Sequence, residues 1–306
     1  MNREPTSYPD SSPLLGNIPA LRERAERDGF LYFRNFLPRE EILALRVLML
    51  AVVERHGWRE PGQDCHGARI NLAAINKVPE NEMRLDIGVS VAAYHDAQRI
   101  EMLHKLPHHP RLLGFYRDFF GEDAFVHPRH IARMVTGHQA MIPTPPHQDF
   151  PLIQGTTNTW TCWFPIGDCP REHGGLSILR GSHKNGVIPV RETRGAGGIA
   201  AQLCPAENDW VEGDFSAGDI LTFPSHTVHK ALRCQDKELI RLSLDIRFQS
   251  VNEPIEERSL LPHCDLSWDE IYSGWENEEL QYYWRKYPLG IAPWDDSHLQ
   301  PKRRIC

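Results

Sequence analysis

The segment PPHQDFPL (145–152) places two potential metal ligands, His147 and Asp149, two positions apart. Two neutral imidazoles and one carboxylate on one face of an octahedron form a non-haem iron(II) site, which leaves positions open for a bidentate co-substrate and dioxygen. Among 16 histidines and 41 acidic residues, about two His-x-acid triplets arise by chance. The triplet is therefore informative only if a second histidine follows on a later strand.

A second triplet, His263-Cys264-Asp265, lacks such a partner. The only histidine after it is His298, in a proline-flanked tail without a strand pattern, so we expect this triplet to lie at the surface.

The first triplet is followed by GDILTFPSHTVHKA (218–231), a predicted turn and strand with two histidines. His226 and His229 are three positions apart in an extended segment, so their side chains point to opposite faces and only one can bind the ion. The spacing to Arg241 favours His229. His226 is the alternative ligand.

The clearest predicted strand is IRLSLDIRF (240–248), with apolar residues on one face and Arg241, Ser243, Asp245 and Arg247 on the other. If the apolar face packs outwards, the two arginines face inwards, where burial requires an anion. 2-Oxoglutarate has a distal carboxylate that a guanidinium with a neighbouring hydroxyl would hold, as in the Arg241–Ser243 pair. Arg247 can pair with Asp245 or another acid, and we do not assign it to the site.

The elements that must position these residues change in character along the chain. Residues 1–123 are predicted to be mainly helical support. Residues 124–250 are short apolar or alternating runs between turns, which is typical of a sandwich or double-sheeted barrel. Residues 251–306 are acidic and aromatic, and a covering helix is predicted over the middle of 268–294; the alternative is that this helix joins a dimer. We predict one mainly β domain with helices over 1–306.

Composition excludes several classes of function. The net charge of −7, the pI near 6.1 and the lack of a basic stripe argue against nucleic-acid binding. The longest apolar run, 42–53, contains Arg46 and is too short to cross a bilayer, so we expect no membrane partner. Seven cysteines without a CxxC pair indicate free thiols in a reducing cytoplasm, in a monomer or homodimer.

Together these motifs resemble the phytanoyl-CoA dioxygenase family of iron(II) and 2-oxoglutarate-dependent oxygenases. The resemblance covers most of the chain and is carried by DGFLYFRNFL (29–38), HQD (147–149), WFPIGDCPREHGGLSILRGSHKNG (163–186), GDILTFPSHTVHKA (218–231) and RLSLDIRFQ (241–249). It implies a double-stranded β-helix core of the jelly-roll, cupin-like type. It also implies that His147, Asp149 and His229 bind Fe(II), and that Arg241 holds 2-oxoglutarate.

The resemblance extends to the surroundings of the predicted centre. Trp163 matches a tryptophan near the co-substrate, and Arg133 matches a position that can face the co-substrate or an acid of the substrate. Phe150, next to Asp149, is a candidate floor of the substrate pocket, with plain core packing as the alternative. Bacterial natural-product hydroxylases look most similar within the family. They imply hydroxylation of an unactivated C–H bond of a mid-sized, mostly apolar metabolite, with consumption of O2 and release of succinate and CO2.

Three alternatives to hydroxylation are open. Halogenases of the family have a small non-coordinating residue where this chain has Asp149, so halogenation is disfavoured, whereas desaturation or ring rearrangement is not. A cupin dioxygenase without 2-oxoglutarate would use three or four histidines. A non-catalytic cupin-like binding protein would have no need of Arg241 and Ser243. A CoA thioester substrate lacks support, because no basic cluster suits its 3′-phosphate.

Overall fold

The computed structural model describes residues 4–306, and Met1 to Arg3 lie outside the described residues. The α-helices are α1 (Ile18–Asp28), α2 (Arg39–Arg55), α3 (Leu72–Ile75), α4 (Val91–Gln98), α5 (Glu101–Lys105), α6 (Pro110–Phe120), α7 (Phe150–Ile153) and α8 (Trp268–Tyr272). The strands are β1 (Thr6–Ser7), β2 (Leu31–Phe33), β3 (Ala124–Val126), β4 (Ile131–Val135), β5 (Trp160–Pro165), β6 (Leu176–Leu179), β7 (Val190–Glu192), β8 (Ile199–Ala201), β9 (Trp210–Glu212), β10 (Ile220–Pro224), β11 (His229–Ala231), β12 (Arg241–Ser250), β13 (Ile255–Glu256) and β14 (Ile291–Ala292).

Two facing sheets form the core of the fold. The larger sheet has the order β2-β10-β5-β12-β3, with β4 also paired to β12, and the smaller has the order β1-β9-β6-β11. Side chains from both sheets, among them Trp163, Phe223, Ile178 and Val211, form one buried cluster between them. The predicted jelly-roll core of a mainly β fold with helices is confirmed. The sheets stay open, so a closed barrel does not form.

Strand β12 explains how the helices attach to the larger sheet. Its apolar residues Leu242, Leu244, Ile246 and Phe248 belong to the main hydrophobic core with the N-terminal helices. The rings of Phe248 and Tyr116 of α6 stack with centroids 3.9 Å apart. The predicted outward packing of this face is thus confirmed, and the opposite face is left to line the space between the sheets.

The first helix and the first strand of the larger sheet are separated by a single tight turn. The Asn17 side chain accepts a hydrogen bond from Ala20 N–H at the start of α1, and Gly29 ends the helix in the left-handed conformation with φ 79°. The chain then enters β2, which pairs antiparallel with β10. This pairing fixes the helical layer against the strand that leads to His229.

The C-terminal segment is less helical than predicted. Helix α8 ends at Tyr272, Gly274 has a left-handed φ of 86°, and the only later helical turn of the 268–294 segment is Tyr283–Lys286. The prediction of a helix over the middle of 268–294 is therefore wrong, because the acidic stretch between the aromatic clusters forms turns. The aromatic rings still pack as a cover, since the Tyr283 hydroxyl donates to the Val126 carbonyl at 2.6 Å.

Two of the seven cysteines contradict the prediction of free thiols. Cys204 and Cys306 form a disulfide, whereas Cys65, Cys162, Cys169, Cys234 and Cys264 are free. The C-terminal tail can reach Cys204 because Arg304 forms an ion pair with Glu207 at 2.6 Å. Among residues 4–306 no helix is both long and apolar enough to span a membrane.

Candidate metal centre

Two histidines that are far apart in the chain meet at the edge of the smaller sheet. His147 lies in the extended segment before α7, and His229 begins β11. Their backbones exchange two hydrogen bonds, each N–H donating to the other's carbonyl at 2.9 Å. The imidazole rings consequently stand side by side, with centroids 4.2 Å apart.

Hydrogen bonds to the backbone fix the tautomer of both imidazoles. The Nδ1 of His147 lies 2.9 Å from the Pro145 carbonyl, and the Nδ1 of His229 lies 3.1 Å from the Thr227 carbonyl. A carbonyl only accepts, so Nδ1 carries the proton in each ring and Nε2 presents a lone pair. Both Nε2 atoms lie 3.8 Å from Oδ1 of Asp149.

Two groups of the larger sheet also contact the carboxylate of Asp149. The Thr161 hydroxyl of β5 donates to Oδ2 at 2.5 Å, and Nη2 of Arg247 on β12 lies 3.5 Å from Oδ1. Burial raises the pKa of Asp149, but Arg247 and the two histidines outweigh it, and the pKa lies below its usual value. Asp149 is therefore ionised at neutral pH.

The two imidazoles are kept neutral. Burial and, to a lesser extent, the neighbouring His229 lower the pKa of His147 to about 3. Burial likewise lowers the pKa of His229. Metal binding needs deprotonated imidazole nitrogens and an ionised carboxylate, so the protonation state of this cluster already suits a cation.

The three ligand atoms fit a two-histidine, one-carboxylate centre. They lie within 4.8 Å of one another, and all three residues are buried. Oxygen and imidazole donors on one face suit iron(II) and leave the opposite face open. The second nitrogen of each imidazole is already engaged with a carbonyl, which is the supporting contact that such ligands need.

Phe150 and His226 lie away from this centre. The Phe150 ring contacts the rings of His226 and His298, with centroids 4.7 and 5.3 Å away. Phe150 is not among the residues that line the cavity at the metal centre. The Phe150 ring thus packs against two histidines, as in the alternative of core packing, and its role as the floor of a substrate pocket stays a prediction.

A cavity of about 150 Å³ opens beside the two histidines and is bordered by the polar face of β12. Arg241 is buried in its wall, where Nη1 donates to the Ser243 hydroxyl, while Nε has no hydrogen-bond partner among the described residues. Trp163 is 1% exposed, and its ring centroid lies 6.0 Å from the Arg241 guanidinium carbon. Thus Arg241 has unused donors in the same cavity as the histidines.

Arg133 also lines this cavity, but its charge is already neutralised. Its Nε and Nη2 each lie 2.7 Å from Oδ2 of Asp245, and Nη1 donates to the Asp86 carbonyl. Arg133 and Asp245 occur on neighbouring strands, β4 and β12, which pair antiparallel. The structure therefore places Arg133 at the cavity as an internal ion pair and not as an unpaired cation.

The second triplet is more buried than predicted. Cys264 is buried and His263 half-buried, and together with Asp86 they form a second cluster of potential metal ligands. However, Arg84 grips the Asp86 carboxylate through two hydrogen bonds of 3.1 and 2.8 Å. Both oxygens of Asp86 are therefore already engaged by a cationic group, which makes this cluster a poor metal site.

Sequence reasoning missed two residues that touch the metal-binding carboxylate, Thr161 and Arg247. The signal for Arg247 was present, because it shares the inward face of β12 with Arg241. No signal in the sequence marked Asp149 as the partner of Arg247, because Asp149 follows a loop whose position the sequence pattern does not define. Thr161 carried no signal beyond its place in a predicted strand.

Known proteins are similar to this chain in sequence or in fold. The 1-deoxypentalenic acid 11-beta-hydroxylase of Streptomyces arenae is 27% identical over 271 residues, which is 84% of this chain and 90% of the relative. The crystal structure of the non-haem alpha-ketoglutarate-dependent epimerase SnoN from nogalamycin biosynthesis aligns with a TM-score of 0.55 and 20% identity, over 79% of this chain and 86% of that chain. Its complex with Fe3+, alpha ketoglutarate and nogalamycin RO aligns over the same shares with a TM-score of 0.54 and 18% identity.

The fold and the three-ligand centre define a non-haem, 2-oxoglutarate-dependent oxygenase. The profile of the family described as phytanoyl-CoA dioxygenase (PhyH) matches residues 25–235. Because the match spans more than half of the chain, the protein belongs to this family.

Proposed function

We propose that this protein hydroxylates an unactivated C–H bond of a small natural-product metabolite, using Fe(II), O2 and 2-oxoglutarate. The observation that carries the proposal is the buried cluster in which the Nε2 atoms of His147 and His229 both lie 3.8 Å from Oδ1 of Asp149. These three residues would bind the iron. When bound, iron(II) would activate O2, which is the oxidant: one oxygen atom would enter succinate as 2-oxoglutarate loses CO2, and the other would enter the C–H bond of the substrate.

Other residues of the cavity would bind the co-substrate and support the metal ligands. Arg241 and Ser243 would bind the distal carboxylate of 2-oxoglutarate, because a buried guanidinium with unused donors needs an anion. Trp163 would form a wall beside the co-substrate. Thr161 holds the Asp149 carboxylate through Oδ2, and Arg247 lies against Oδ1, the oxygen that faces the histidines.

One feature favours hydroxylation, and a second argues against halogenation. The relative from Streptomyces arenae is named a hydroxylase. Asp149 provides a carboxylate ligand, which a halogenating centre would lack. The burial of the centre would exclude water from the reacting groups. A non-catalytic binding protein would not need an ionised carboxylate and two neutral imidazoles in one cluster. It would also not need a buried arginine in the same cavity.

The direct test is anaerobic addition of Fe(II) and 2-oxoglutarate to the purified protein. We expect a weak visible charge-transfer band that His147→Ala abolishes. His226→Ala is the matched control, because His226 lies outside the centre and should leave the band unchanged. No band in the unmodified protein, or a band that survives His147→Ala, would refute the proposal.

The reaction type is tested by screening natural-product metabolites for substrate-dependent succinate formation. Hydroxylation adds one oxygen atom to the substrate and desaturation removes two hydrogens, whereas epimerisation or an isomerising ring rearrangement leaves the mass unchanged. Succinate release coupled to a product with one added oxygen supports the proposal. Turnover of amino acids or CoA thioesters alone would contradict the proposed substrate class.

A further inference from the structure

The loop 232–239 carries two cations at the exposed end of the cavity. Arg233 and Lys237 both line the cavity that contains His147 and His229, and both are exposed. Neither residue has an ion pair or a side-chain hydrogen bond to any other residue in the part of the chain that the structure describes.

The two acids beside Lys237 in the sequence share one cation, and the acids of the cavity wall are paired with other arginines. Asp236 and Glu238, on either side of Lys237, both form ion pairs with Arg69. Within the lining of the cavity, Asp245 is bound by Arg133 and Asp86 by Arg84. The charges of Arg233 and Lys237 are therefore not balanced by the acids of the cavity wall.

Backbone contacts hold this loop in place. Leu232 N–H donates to the Gly175 carbonyl and Gln235 N–H to the Glu172 carbonyl, both at 2.8 Å. Gly137 packs so closely that an added Cβ would lie 2.0 Å from the Lys237 carbonyl oxygen. Because Gly137 and its neighbours also line the cavity, the two cations are anchored to its wall.

The wall of this cavity also contains a group of apolar residues. It includes Val135, Met141, Ile142, Leu176 and Leu232. Such a wall favours a hydrophobic ligand body, while a small number of charged groups set its orientation.

We propose that the substrate is an apolar carboxylic acid whose carboxylate is bound by Arg233 and Lys237 while its apolar body extends towards the metal centre. This inference rests on the proposed function. It moves the expected acid-binding position from Arg133, which Asp245 neutralises, to the loop 232–239. The co-substrate is served by a separate cation, Arg241, which is buried where Arg233 and Lys237 are exposed.

The test is calorimetric binding to the metal-free, full-length protein, using two acids and their matched alcohols as probes: abietic acid with abietinol, and citronellic acid with citronellol. We expect at least one acid to bind about 10-fold more tightly than its alcohol, because only the acid forms ion pairs with the two exposed cations. Added salt should weaken the binding of that acid and leave the alcohol nearly unaffected.

The double variant R233Q/K237Q should lose the preference for the acid and keep the affinity for the alcohol. The matched control K184Q/R191Q removes the same charge from two exposed residues that do not line the cavity, and it should keep the preference. Equal binding of acid and alcohol, a preference that survives in R233Q/K237Q, an equal loss in the control, or no binding of either acid would each overturn the inference.

The result separates this inference from the proposed function. If the charge-transfer band with Fe(II) and 2-oxoglutarate forms but no acid preference is found, only the inference fails. If the acid preference is found but the band is absent, only the proposed oxygenase chemistry fails. The affinity for 2-oxoglutarate, measured through the band, should be the same in R233Q/K237Q and the unmodified protein; a large loss would assign these cations to the co-substrate instead.

Discussion

Arg247 lies against the metal-binding face of Asp149, with its Nη2 3.5 Å from the carboxylate Oδ1. Both side chains are 6% exposed, so the charge of Asp149 is buried before any metal binds. An uncompensated carboxylate in such a place would be very costly. Arg247 therefore provides a counter-charge that lets the centre fold in the absence of a cation.

Replacing Arg247 with methionine should destabilise the metal-free protein by about 3 kcal/mol, because the buried carboxylate loses its partner. Addition of Co(II) should recover much of this loss, since the ion then neutralises Asp149. The measurement is urea unfolding with and without Co(II). Arg247→Lys keeps the positive charge, so its free energy of unfolding should fall less than that of the methionine variant. Equal unfolding free energies for the methionine variant and the unmodified protein would show that Arg247 has no such role.

Arg241→Met should raise the dissociation constant for 2-oxoglutarate about 100-fold, because it leaves the distal carboxylate without its cation. Arg241→Lys should be intermediate, since an ammonium keeps the charge but not the two-pronged geometry of a guanidinium. Titration of the anaerobic charge-transfer band measures both constants. Co(II) affinity serves as the control and should not change, because Arg241 does not contact the metal ligands. Unchanged 2-oxoglutarate affinity would refute the assignment.

The inward face of β12 was predictable because it depends on a short-range rule, whereas the choice of His229 over His226 depended on its spacing to Arg241 and on the family resemblance. Side chains alternate along a strand, which placed Arg241, Ser243 and Asp245 on one face. The pairing of Arg133 with Asp245 was not predictable, because it depends on the register between β4 and β12. The periodicity of the sequence shows which residues share a face of a strand. The register between two strands depends on the packing of the whole fold.

The disulfide illustrates the same limit at longer range. Cys204 and Cys306 are separated by 102 residues, and no local pattern connects them. Their approach depends on the C-terminal tail, where the Lys302 carbonyl accepts a hydrogen bond from Gln202 and Arg304 pairs with Glu207. The count of seven cysteines alone favoured free thiols.

Thiol titration under denaturing conditions tests the disulfide directly. The unreduced protein should show five reactive thiols and the reduced protein all seven. Cys306→Ser should lower the unfolding free energy by up to about 4 kcal/mol, because the closed loop of the unfolded chain is released. The unmodified protein, once reduced, should have the same unfolding free energy as Cys306→Ser. Seven thiols without reduction would exclude the bond.

A group of buried histidines under the C-terminal cover should make stability depend on pH. Burial lowers the pKa of His104 and of His108 to about 4, whereas the unfolded chain binds these protons near pH 6.5. Between these values the unfolded state binds more protons, so stability falls as the pH is lowered from 6.5 to 4. Each histidine contributes a slope of up to about 1.4 kcal/mol per pH unit.

His108→Phe separates this effect from that of the other histidines. The His108 ring packs edge-on against Tyr283 at 4.4 Å, and its Nε2 has no hydrogen-bond partner among the described residues, so a phenyl ring can replace it. Unfolding free energies measured from pH 8 to pH 4.5 should fall less steeply in the variant below pH 6.5, by up to about 1.4 kcal/mol per pH unit. The value at pH 8 reports the packing change alone. Parallel curves across the whole range would mean that the protonation of His108 is not linked to folding.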